Sequence, residues 1–178
     1  MALLIAAPAL AGALLLAVAG AQKLIDPTMT VGALRALGVA ATPLLVRAGA
    51  AAELVLGAGA LVSGGEIVWG LVALSYVAFA LFVVQALKSA TPLGTCGCFG
   101  RADTPPHPAH ILVNLVFVGV AVSAGRLSCA PADEIAERGV AGALTLLAAL
   151  AVAGAAYAVF TRRGPVGRSK WWSSNLRG

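Results

Sequence analysis

Cys96, Gly97 and Cys98 lie in a stretch, residues 91–110, that also holds both histidines and four of the nine prolines of this 178-residue chain. Two cysteines one residue apart can do redox chemistry. A disulfide needs Cα atoms roughly 4.4–6.8 Å apart. Residues i and i+2 reach that range in a bent conformation, and Gly97 lacks the Cβ that would oppose the bend. The resulting small ring is strained, and strained disulfides are readily reduced. Such a pair suits transferable oxidising equivalents better than permanent structure. Arg101 and a helix N-terminus expected near Ala109 favour the thiolate, and Gly94 and Gly100 leave the loop pliable.

Two other readings stay open. Cys96, Cys98, His107 and His110 form a C-x-C…H-x-x-H set that could hold zinc. However, Cys2His2 sites normally use C-x(2–4)-C and H-x(3–5)-H, and both pairs here are one residue short. The Cys-Gly-Cys can also be a plain turn. Cys129, in a later loop, reads as a lone thiol. No Walker A, nucleophile-elbow or H-E-x-x-H pattern occurs, so hydrolase readings have no support.

The elements that carry these residues are apolar. Apolar residues make up 60% of the chain and charged residues 11%, against roughly 45–50% and about 25% in soluble domains. Such a chain cannot cover a water-facing surface and is expected in a lipid bilayer. Runs of about 18 or more apolar residues can cross one. Residues 2–21, 67–87 and 140–160 qualify without a charge; 44–62 carries Arg47 and Glu53; 109–124 is the shortest and carries His110 and Asn114. The first run lacks a preceding Lys or Arg and is long for a signal peptide, so it reads as a span despite its A-x-A pattern. Uniform apolarity argues against barrel strands. The expected fold is an all-α polytopic transmembrane bundle.

Basic residues set the orientation. With five spans, the first loop, third loop and tail share a side and hold Lys23, Arg35, Arg47, Lys88, Arg101, Arg162, Arg163, Arg168, Lys170 and Arg177. The other side has Arg126 and Arg138 beside Glu66, Asp133, Glu134 and Glu137. This places the N-terminus outside the cell membrane, and the Cys-Gly-Cys loop and tail in the cytoplasm. The net charge of +5 reflects topology, and nothing forms a nucleic-acid reader. Trp171 and Trp172 among the tail's cations suggest a membrane-surface anchor, with a disordered tail as the equal alternative.

Between the spans, Asp26-Pro27 signals a turn and helix start. Val31, Leu34, Leu37 and Gly38 then mark a short amphipathic helix at the interface. Residues 63–66 form a tight hairpin, and 125–137 a short polar loop. Glu53 is the clearest intramembrane anomaly, since an ionisable group there is expensive and wants a partner. Lys23, Arg47 and Gln85 are candidates. Arg47 lies about one and a half turns away, off the face of Glu53, and Lys23, at the end of span one, could snorkel. A structural pair is preferred to a catalytic one.

The segments "AGAQKLIDP", "ALRALGV", "AAELVLGAGAL" and "CGCFG", in that order, resemble the MauE-type methylamine-utilisation membrane family of the wider DoxX-like group. Asn114 fits the polar residue such proteins place early in the next span. The resemblance covers about residues 4–124. It implies a four-helix core, here 1–124; a polar loop and fifth span, 125–160, and a basic tail, 161–178, follow and lie outside the resemblance. It also implies thiol–disulfide chemistry alongside a thioredoxin-like partner, linked in the methylamine system to maturation of a disulfide-rich dehydrogenase subunit. Cys96 and Cys98 would be the redox pair, with Lys23, Asp26 and Glu53 at the family's polar positions. A quinone could accept the electrons, though no sequence feature demands it. The implied partner chemistry is extracytoplasmic, opposite to the charge count, and nothing in the chain reads as amine chemistry. The reading from another class is a non-enzymatic membrane subunit or assembly factor.

Overall fold

A computed structural model describes residues 2–89 and 104–161. It comprises α1 (Ala2–Ile25), α2 (Thr28–Ala36), α3 (Pro43–Ser63), α4 (Glu66–Lys88), α5 (Pro108–Arg126), α6 (Ala132–Ala136) and α7 (Gly139–Thr161), with no strand among the described residues. Five of these, α1, α3, α4, α5 and α7, are long and apolar enough to cross a membrane. They correspond to the five expected spans, including the short one, which extends to a 19-residue helix. Cys96, Gly97, Cys98, Arg101 and the tail with Trp171 and Trp172 lie outside the described residues.

Local chemistry sets the boundaries. The Thr42 side chain accepts from the Leu45 amide at 3.2 Å, and Pro43 follows as the first helical residue of α3. Gly64 ends α3 in the left-handed region, φ 60°, where a side chain would be strained and a Cβ would strike the Cys129 carbonyl. Asp26 Oδ1 accepts from both the backbone amide and hydroxyl of Thr28, starting α2. Lys23, Arg35, Lys88 and Arg126 occupy the last turns of α1, α2, α4 and α5, where cations complement the helix dipole.

The bundle is organised around α1. Of its span 61% is buried within the protein, against 22–33% for the other four. The faces those helices leave outward carry exposed leucines such as Leu44, Leu81, Leu112 and Leu147, which suit lipid. Small residues bring α3 against α1 backbone to backbone. A Cβ at Gly20 would come within 2.6 Å of Ala50 and Leu54 backbone atoms; one at Gly57 would do the same at Ala13 and Ala17. Tyr76 Oη donates to the Gly12 carbonyl at 2.6 Å, tying α4 to α1, and its ring stacks on Phe117 of α5 at 5.1 Å. The fifth span shares this core through Ala149, Ala153, Ala156 and Phe160.

Two details differ from expectation. The loop over 125–137 is not merely polar connection: α6 forms within it and buries Ile135 in the main core. The amphipathic helix α2 packs through Val31 and Leu34 on Ala41 and Val46, a second small core that holds it against α3. Its apolar stripe therefore faces protein as well as the membrane interface.

Candidate functional site

Apart from Cys129, the chemistry-bearing residues that the structure describes lie towards one end of the bundle. Gln22, at the end of α1, donates to Tyr157 Oη near the end of α7 at 3.3 Å. Thr104, just before α5, donates its amide and hydroxyl to the Phe160 carbonyl at 3.0 and 2.8 Å. The end of α1, the approach to α5 and the end of α7 thus share a side, as five alternating spans require. At the opposite end, Gly64 meets the Cys129 carbonyl and Gly125 meets Trp69 and Glu66.

Lys23 and Glu53 are the centre of this end. Lys23 Nζ lies 2.5 Å from Glu53 Oε2 and 4.7 Å from the centroid of Phe79, over its ring. Lys23 is only 3% exposed. It does not snorkel: α1 is central, so its last turn points Lys23 at α3 and α4, and the carboxylate there offsets the cost of burying the ammonium. Arg47 is exposed on α3. Gln85 lies about one turn beyond Leu81 on α4, in the groove described next, and Asp26 serves the turn into α2.

A cavity of about 260 Å³ opens beside the ion pair, lined by Lys23, Glu53, Gly49, Val46, Phe79 and Phe82. It adjoins a groove of about 530 Å³ between α2 and α4 that shares Leu34, Ala78 and Phe82 with it and runs past Gln85 to Lys88 and Ser89.

The histidines frame the start of α5. His107 Nδ1 accepts from the Ala109 amide at 3.1 Å, capping the helix. His110 is 1% exposed. Its Nε2 lies 3.3 Å from the Val159 carbonyl, so the proton is assigned there, and its ring packs on Phe160 at 4.9 Å. Together with Thr104 it satisfies carbonyls that the last turn of α7 leaves open. The two rings stand 6.3 Å apart, centre to centre. Cys96 and Cys98, the other half of the zinc alternative, lie outside the described residues, and no cluster of three or more His, Cys, Asp or Glu that could hold a metal occurs among the described ones. Asn114 follows His110 by one turn, 1% exposed, and borders a cavity of about 10 Å³ with Leu15, Ala19, Tyr76, Phe79 and Phe160.

Thr104, Phe79, Phe82 and Gly49 escaped the sequence reading. Phe79 and Phe82 share one face of α4 at i, i+3 spacing, but in a helix that is apolar all round such a pair carries no distinguishing signal. Replacing Thr104 by valine is expected to loosen the end of α7 by about 1 kcal/mol, the worth of one hydrogen bond. Hydrogen exchange in the last turn of α7 would report it as faster exchange, with the rest of the bundle unchanged.

The family model for the methylamine utilisation protein MauE matches residues 1–127. No curated protein matches the chain, and no solved structure matches it.

Proposed function

The chain belongs to the MauE family, and from that premise we propose that this multi-pass membrane protein exchanges disulfides with a protein partner through Cys96 and Cys98. The thiolate of one cysteine attacks a partner disulfide, and the other cysteine resolves the mixed disulfide. The partner leaves as a dithiol and Cys96 and Cys98 as a disulfide, or the reverse when the pair starts oxidised. A thioredoxin-like domain is the partner class that fits this exchange.

The observation that carries the proposal is where the described chain stops and resumes around the Cys-Gly-Cys stretch. The chain leaves the described fold at Ser89, after α4, and re-enters at Thr104, which is bonded to the end of α7. Both anchors are at the end where Lys23 and Glu53 meet. The proposal accordingly puts the exchange at that membrane face, where a partner's disulfide can reach. The excess of basic residues at that end, Lys23, Arg35, Arg47 and Lys88 against Arg126 and Arg138 among the described residues, supports the cytoplasmic side of a cell membrane.

Thiol alkylation read by mass spectrometry tests the proposal. Cys96 and Cys98 are expected to alkylate together after reductant and to be protected together after mild oxidant. Cys129 is buried, and burial pushes its thiol up despite Arg138 nearby. It should therefore label slowly at neutral pH and faster as the pH rises beyond an ordinary thiol's range. A Cys96→Ser/Cys98→Ser variant that still exchanges disulfides at the parent rate would overturn the reading. A membrane-impermeant reagent applied to intact cells reports the side, and labelling from outside would reverse the orientation.

A further inference from the structure

We propose that the groove between α2 and α4 holds an anionic phospholipid, with an acyl chain lying along α4 and the phosphate at Lys88. The groove exists because α2 is short and packs on α3 through Val31. Its other side then faces α4 across a volume of about 530 Å³. Gly38, in the left-handed region at φ 81°, follows the end of α2, and Val39 beyond it extends the same wall.

Three observations choose the occupant. The first is length and direction. On α4 the groove follows Ala78, Leu81, Phe82, Gln85 and Lys88, whose spacing is that of one helix face. From Ala78 to Lys88 the helix rises about 15 Å, half of the roughly 30 Å of a bilayer's hydrocarbon core. The groove therefore runs the depth of one leaflet alongside a span, as a lipid chain does. The second is the order of polarity. Ala78, Leu81 and Phe82 form the deep part, while Gln85, Lys88 and Ser89 form the mouth, where α4 ends. A free anion has no use for the deep part, and a plain hydrocarbon has none for the mouth.

The third observation is charge. Among the described residues that line the groove, Lys88 carries the only charge. It is exposed, and it forms no ion pair among the described residues. Its ammonium can donate to a phosphate oxygen, and the exposed Gln85 amide adds a second donor beside it. A zwitterionic head would bring its own ammonium next to Lys88, so a head of net negative charge fits better.

Native mass spectrometry of the full chain, equilibrated in detergent with equal amounts of phosphatidylglycerol and phosphatidylcholine of identical chains, tests the site. A single retained phosphatidylglycerol is expected, in preference to phosphatidylcholine. Lys88→Gln should cut that preference about five-fold, the worth of one lysine at an anionic surface. Ala36 is exposed and lines the groove from α2. Ala36→Trp should therefore fill the groove and lower retention of both lipids, with an unchanged melting temperature. Arg47 is exposed on α3 at the same end but does not line the groove, so Arg47→Gln should keep the parent preference. Cys96→Ser/Cys98→Ser should keep it too, which makes the site independent of disulfide exchange. Equal losses in Arg47→Gln and Lys88→Gln would mean diffuse surface attraction. Displacement by inorganic phosphate would mean a bare anion site, and a dimer that Ala36→Trp dissociates would mean a second copy in the groove. Each of these, or retention unchanged in both groove variants, would overturn the proposal.

Discussion

Gly57→Leu is expected to leave no stably folded protein. The Cβ it adds would sit 2.5 Å from the Ala13 carbonyl oxygen and 2.6 Å from the Ala17 amide nitrogen. These are backbone atoms of the central helix, and they cannot swing aside as a flexible side chain would. Either α3 withdraws from α1 along its length or the crossing is lost. Overpacking of ordinary cores costs about 1–3 kcal/mol, and a backbone clash on the helix that packs against α3, α5 and α7 belongs at or beyond the upper end. Thermal unfolding in detergent, together with the monodisperse yield, measures it. Gly119→Leu and Gly154→Leu are the controls, since a Cβ at either meets nothing within 4 Å. They should melt like the parent. Equal stability of Gly57→Leu and these controls would mean that α1 and α3 do not cross at Gly20 and Gly57.

The second large effect concerns the ion pair. Lys23→Met or Glu53→Leu alone strands the other charge against apolar surroundings, and breaking a buried pair from one side costs about 3–5 kcal/mol. The double variant removes both charges and should recover most of that loss, because Met and Leu suit the neighbourhood of Phe79. A double-mutant cycle on unfolding free energy reads the coupling directly. Nearly additive losses would show that the two residues do not depend on each other.

Much of the architecture was legible in the sequence. Five runs of apolar residues with few charges have one good solution in lipid, a helix bundle, because every backbone polar group must be satisfied within its own segment. The turn at Asp26-Pro27, the hairpin at Gly64 and Gly65 and the helix start at Pro108 are likewise local matters of φ and capping. The anomaly of Glu53 was visible because a carboxylate inside a span is costly wherever it packs. Its partner was not. With Arg47 off the face of Glu53, Lys23 and Gln85 both satisfied the sequence argument, and choosing between them requires knowing that α1 is central and which face of α3 it meets.

The histidines show the same division. Their spacing in the chain invited comparison with metal ligands. Contacts distant in sequence give them other work: His107 closes the start of α5, while His110 and Thr104 cap α7 some fifty residues away. The sequence by itself determined the class of fold, the number of spans and the residues whose burial needs an explanation, because hydropathy and backbone chemistry are local. Only the tertiary structure decided that Lys23 is buried on Glu53, that α7 belongs to the same core and that a cavity opens beside the pair. Those outcomes depend on which small residues let which helices approach. In helices that are apolar all round, no periodicity records that choice.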